Sequence, residues 1–164
     1  MATFNNQSFI KHDDYMTPKS AWQDVIDYIP KDEEIWEAFY GDGCSGKDLD
    51  ELGLKVVHEP VDFFENDLGD IVVSNPPFSK IPEILERLVE LEKPFMLIMP
   101  SSKINTQYFR AVLKDQIQII IPKKRIQFKK ITEDTESLTK SSCNFDCFYY
   151  CYKMNLPKDI IWLE

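Results

Sequence analysis

Apolar positions recur along this chain at two periods, and the switching between them predicts its architecture. Ala21, Trp22, Val25, Ile26 and Ile29 form a helical stripe. It follows Thr17-Pro18, which reads as an N-cap with proline at the first helical position, and Pro30 stops it. Ile35 to Phe39 is a short strand running into a glycine-rich turn, Tyr40-Gly41-Asp42-Gly43-Cys44-Ser45-Gly46. Residues 45–52 read as one short helix ended near Gly53, and 54–59 as a second strand. Asp62-Phe63-Phe64 comes next, and a few residues later Asp70 to Ser74 forms a buried apolar strand. Residues 81–92 place Ile81, Ile84, Leu85, Leu88 and Leu91 on one helical face, with Pro82 in the first turn. Pro94 to Met99 is a strand, and Asn105 is placed to cap a helix that turns Tyr108, Phe109, Val112 and Leu113 inward. Gln116 to Pro122 is an apolar strand extending towards Phe128, and Phe145 to Met154 is an aromatic one. The tail ends with Trp162.

Strands alternating with helices give a parallel sheet covered on both faces. The last two strands have no helical pattern between them, so they are expected to pair as an antiparallel hairpin at the sheet edge. Residues 1–12 are polar and aperiodic and read as a mobile arm, leaving 13–164 as one domain.

Composition narrows the class. The 164 residues, 43% of them apolar, suit a single core. There is no internal repeat or low-complexity segment. No run approaches a membrane span, and the N-terminus lacks a signal-peptide pattern, so a cytoplasmic protein without a membrane partner is expected. The four cysteines, Cys44, Cys143, Cys147 and Cys151, contain no Cys-x-x-Cys pair, and only His12 and His58 accompany them. Reduced thiols and no metal site are expected.

The net charge of −9 argues against nonspecific coating of nucleic acid, but it hides an asymmetry. Residues 123–130 carry five positive charges, Lys123, Lys124, Arg125, Lys129 and Lys130, and no negative ones. Glu59, Asp62, Glu65, Asp67 and Asp70 crowd another stretch. The basic run can dock a phosphate backbone; lysines on a solvated strand edge have the alternative role of blocking edge pairing.

Asn75-Pro76-Pro77-Phe78, directly after the strand 70–74, carries the most chemistry. Asn75 offers a side-chain carbonyl, and Pro76, lacking N–H, offers only an acceptor. Both can converge on one exocyclic NH2, while Phe78 offers a ring face. Asn-Pro and Pro-Pro also mark ordinary turns. The glycine turn is the second element, because a strand followed by Gly-x-Gly and a helix brings backbone close to a ligand at the strand's carboxyl end. Its spacing departs from a dinucleotide fingerprint, with Ser45 ahead of Gly46. Glu59 ends the second strand sixteen residues beyond Gly43, where a carboxylate can accept both ribose hydroxyls.

With these residues the chain resembles the S-adenosylmethionine-dependent DNA adenine N6-methyltransferases from about residue 14 to 154. The resemblance implies a Rossmann-like class I methyltransferase fold: a mainly parallel α/β sheet flanked by helices, with an antiparallel final strand. It implies Asn75, Pro76, Pro77 and Phe78 as the catalytic set. Phe39, Tyr40, Gly41 and Gly43 correspond to the loop against the methionine part of the cofactor. Glu59 would hold the ribose. Asp62 would take the adenine amino group while Phe63 covers the ring. Asp14-Tyr15-Met16-Thr17-Pro18 resembles the family's N-terminal motif, so Tyr15, Thr17 and Pro18 would close over the methionine carboxylate and adenine. The implied activity is methyl transfer to adenine N6 in DNA. RNA adenine, a protein glutamine amide, and a cofactor-binding subunit inactive without a recognition partner are the alternatives. Two departures stand out. The interval from Glu59 to Asp70 is too short for the family's usual helix–strand–helix, so the sheet should be trimmed at one edge. There is also no target-recognition domain, which supports the reading with a recognition subunit; nucleic acid, DNA above all, is the expected partner, and a homo-oligomer is the other assembly considered.

Overall fold

The fold comes from a computed structural model that describes residues 15–39, 44–130 and 145–164, with the backbone alone at 15, 129 and 130. Nine strands and four helices are formed among these residues. In chain order they are β1 (Tyr15–Met16), α1 (Lys19–Gln23), β2 (Glu34–Trp36), α2 (Cys44–Glu51), β3 (Lys55–Val57), β4 (Ile71–Ser74), α3 (Ile81–Glu90), β5 (Phe95–Pro100), α4 (Gln107–Leu113), β6 (Ile117–Ile121), β7 (Lys129–Lys130), β8 (Cys147–Tyr152) and β9 (Ile160–Trp162).

Seven strands make one sheet in the order β3-β2-β4-β5-β8-β6-β9. β3, β2, β4 and β5 are parallel, β8 runs antiparallel to β5 and β6, and β9 runs parallel to β6. This is the α/β architecture expected: a mostly parallel, doubly covered sheet with one reversed strand. β3 is the edge, and between it and β4 the chain forms only a 3₁₀ turn at Phe63–Glu65, so that edge is trimmed as expected.

The other edge differs. β6 and β8 do pair antiparallel, but β8 inserts between β5 and β6 and is internal. The aromatic run Phe148-Tyr149-Tyr150 explains why: strands buried on both faces read as unbroken apolar runs, and Tyr149 and Tyr150 are both fully buried. The edge falls to β9, in the tail where no strand was expected.

Period-2 alternation divides the core. Val73, Ile98, Ile120 and Tyr149 face one layer with Trp22 of α1 and Leu49 of α2. Val72, Leu97, Ile119 and Tyr150 face the other, with Leu85 of α3 and Phe109 of α4. Each tyrosine is satisfied: Tyr149 Oη donates to Ala21 O at 2.6 Å and Tyr150 Oη to Pro100 O at 2.8 Å. Burial pushes both phenols above their ordinary range. α3 buries Ile81, Ile84, Leu85 and Leu88, each completely, and such a side chain contributes roughly 1.5–3 kcal/mol.

Several local expectations shift. α1 stops at Gln23 and continues only as a 3₁₀ turn at Ile26–Tyr28. The β-branched Val25-Ile26 pair and Ile29, held extended before Pro30, leave no room for a further α turn. Pro18, not Thr17, occupies the N-cap position, and no side chain caps α1. Asn105 does not cap α4; Thr106 holds that position, and its hydroxyl turns back to Lys103 O at 2.7 Å. Residues 122–128 do not extend β6, so the alternation of a strand does not govern the basic run. Its end, Lys129–Lys130, pairs antiparallel with Tyr15–Met16 in a separate two-stranded ribbon.

Candidate active site

Connections reverse direction between β2 and β4. The chain leaves β2 for β3 on one side and returns to β4 on the other. In open α/β sheets, ligands bind in the crevice outside the carboxyl ends at such a switch point. β2 delivers Glu37-Ala38-Phe39 there, β3 delivers His58-Glu59, and β4 delivers Asn75-Pro76-Pro77-Phe78.

A buried carboxyl joins two of these ends. Glu37 is 1% exposed. Its Oε1 accepts a hydrogen bond from Ser74 Oγ and another from Phe39 N–H at 3.0 Å. Burial raises its pKa to about 8, with the two hydrogen bonds working against that rise. Glu37 therefore carries a proton at neutral pH. The contact fastens the root of the glycine turn to the residue immediately before Asn75. The sequence reading missed both Glu37 and Ser74. The available signal was a carboxylate inside an otherwise apolar strand, next to a glycine turn.

Beyond Ser74, Pro76 and Pro77 are buried and Asn75 and Phe78 half-buried. Phe78 opens a 3₁₀ turn, Phe78–Lys80. Its ring meets Phe145 edge-on, centroids 5.6 Å apart, and Phe145 stacks on Phe128 at 6.0 Å. This aromatic tier was not foreseen beyond Phe78, since Phe145 and Phe128 are distant in sequence.

The cofactor candidates divide. Asp62 caps the 3₁₀ turn, its Oδ1 accepting from Phe64 N at 2.8 Å. Its Oδ2 is buried and has no hydrogen-bond partner among the described residues. A buried acceptor left this way suits an incoming N–H donor. Phe63 is fully buried between Trp36 (5.6 Å) and Phe39 (4.9 Å), with Arg87 over its ring at 5.7 Å. The half-buried ring of this turn is Phe64. Glu59 is exposed beyond β3. Gly46 of α2 lies against His58, and a Cβ there would stand 2.3 Å from His58 Cγ, so this glycine lets the helix start close to the end of β3. Tyr40, Gly41 and Gly43 lie outside the described residues.

Thr17 is buried, with an Oγ1 that has no partner among the described residues. Pro18 lines a cavity of about 310 Å³ together with Lys123, Lys124 and Arg125. A second cavity of about 260 Å³ lies against the same three basic residues, with Ser101, Asp146 and Phe148. Neither cavity is lined by Asn75 or Asp62. Arg125 is held in a two-pronged pair with Asp146, Nε–Oδ1 3.0 Å and NH2–Oδ2 3.2 Å, which lowers the pKa of that carboxyl. The structure thus brings Pro18 beside the basic run, and ties Ser74, at the start of the proline turn, to Glu37 at the end of β2.

No family model and no curated protein matches the chain. A crystal structure from Listeria monocytogenes, itself only provisionally assigned as a class I S-adenosylmethionine-dependent methyltransferase, aligns over 95% of this chain and 67% of its own, with 14% identity and a TM-score of 0.49.

Proposed function

We propose that the protein transfers a methyl group from S-adenosylmethionine to the N6 amine of adenine in DNA. The observation that carries this reading is the Asn75-Pro76-Pro77-Phe78 turn at the switch point, fastened through Ser74 to Glu37 at the root of the glycine turn. Asp62 Oδ2 would accept an amino group of the cofactor, and Thr17 and Pro18 would border it. When bound, S-adenosylmethionine supplies a methyl group on a positively charged sulfur that leaves as a neutral thioether.

Adenine N6 is a weak nucleophile because its lone pair is delocalised into the ring. Asn75 Oδ1 and the Pro76 carbonyl would accept its two hydrogens and favour a pyramidal nitrogen with the lone pair free. The N6 nitrogen would take the methyl group as the C–S bond breaks, and one N6 proton would pass to solvent. Such positioning supplies up to ~7–11 kcal/mol in favourable cases. In a duplex the base must first leave the stack, and Phe78, braced by Phe145, offers the ring on which to hold it. The basic run favours a nucleic-acid acceptor over a protein glutamine amide.

Incubation with labelled S-adenosylmethionine and DNA, RNA and protein tests the reading. Label is expected in DNA as N6-methyladenine. Asn75→Ala should abolish transfer while cofactor affinity by calorimetry stays within a few-fold. Label in RNA or protein alone would reassign the acceptor, and no cofactor heat on folded protein would remove the reading.

A further inference from the structure

β9 ends the seven-stranded sheet. Its backbone bonds to β6 through alternate residues: Ile119 N donates to Asp159 O at 2.8 Å and Leu163 N to Ile121 O at 3.0 Å. The N–H and C=O of Ile160 and Trp162 therefore point away from the sheet, along an edge that no strand among the described residues covers. Their side chains are the most exposed large apolar groups among the described residues, Ile160 at 52% and Trp162 at 69%, while Ile161 between them is buried. An edge strand showing both free backbone groups and bare apolar side chains is a template for strand addition unless something blocks it.

The flanking charges select the occupant. Lys158 precedes β9 and Glu164 follows it, both exposed. In an antiparallel register centred on Ile161, Ile160 faces Trp162 of the second copy and Lys158 faces its Glu164. Facing residues alternate between pairs that exchange both N–H···O bonds and pairs that exchange none, and here the bonded pairs are Ile160–Trp162, whose groups point outward, while Ile161 faces its own copy unbonded. One register thus satisfies the free backbone, covers the two apolar side chains and opposes unlike charges at both ends. A twofold axis through Ile161 generates all of this from one surface, as an isologous interface requires. We propose that the protein forms a dimer through antiparallel β9–β9 pairing, joining two seven-stranded sheets into one.

Sedimentation equilibrium of the full chain, from micromolar to millimolar, tests this. A monomer–dimer equilibrium is expected, and Trp162→Lys should return the chain to monomer with unchanged circular dichroism. Lys158→Glu and Glu164→Lys should each weaken association by roughly tenfold, since each creates two like-charge pairs per dimer. Combining them should restore it, because the charges then swap ends. A monomeric parent chain at all concentrations overturns the proposal. So does a dimer indifferent to Trp162→Lys, or a double reversal as weak as its parents. Methyl transfer is not part of the readout, so the outcome is independent of the proposed activity.

Discussion

At the scale of single residues, Glu37 has the most to say about pH. The folded chain keeps its proton up to about pH 8, whereas an unfolded carboxyl loses it near its ordinary value of 4.5. Between those values the folded state binds more protons, so stability falls as pH rises through that window, by at most about 1.4 kcal/mol per pH unit. Below the window the Glu37 contribution is flat. Glu37→Gln keeps an acceptor for Ser74 Oγ and Phe39 N–H and cannot ionise. Urea unfolding of this variant should show a shallower loss of stability between pH 5 and 8 than the parent; parallel curves would mean that Glu37 is not the titrating group. The same scale shows what the sequence made legible. Asn75 to Phe78 announce themselves because their order is their chemistry. Glu37 and Ser74 do not, because their partnership joins two strands 37 positions apart. Phe63 and Phe64 are neighbours of one type, and only packing against Trp36 and Phe39 tells the core ring from the half-buried one.

At the scale of elements, the sheet strands and α3 were readable from periodicity, since each buries a long apolar face. Elements that lack one were not. α1 was overestimated because its stripe continues through residues whose backbone leaves the helix. β9 was missed because only Ile161 of its three residues is buried. The approach to β4 rests on a tight corner. Gly69 has φ +66°, and a Cβ there would meet Trp36 Cβ at 3.0 Å and Glu34 O at 3.1 Å. The corner is reinforced by Asp70, whose N–H bonds Glu34 O at 2.7 Å and whose Oδ2 accepts from Glu34 N at 2.9 Å. Lys93 Nζ, largely buried, bonds Asp67 Oδ1 at 2.6 Å and Gly69 O. Gly69→Ala combines a left-handed backbone, costing an L-residue roughly 1–2 kcal/mol, with crowding against β2. Thermal unfolding should show a drop of several degrees; an unchanged midpoint would mean that the corner relaxes freely.

At the scale of the whole molecule, an acidic chain carries a basic segment that leaves the main sheet after β6. Lys123 and Lys124 are exposed in the loop after β6, whereas Arg125 is engaged by Asp146. If the segment docks a phosphate backbone, Lys123→Gln with Lys124→Gln should weaken DNA binding similarly for all sequences. The log–log salt slope should fall by about one unit per lost duplex contact. Fluorescence anisotropy across a salt series reads this, and an unchanged slope would leave the lysines a solvating role only. The insertion of β8 between β5 and β6 has a different consequence, one of timing. β5 and β6 leave the ribosome well before β8 and have no direct pairing with each other, so each waits with an open edge. Contacts this distant in sequence raise the entropic cost of the folding barrier, and waiting edges are where chains stick together. The central sheet can close only after Cys147–Tyr152 has been made, which makes β8 the step that commits the strands before it to their fold.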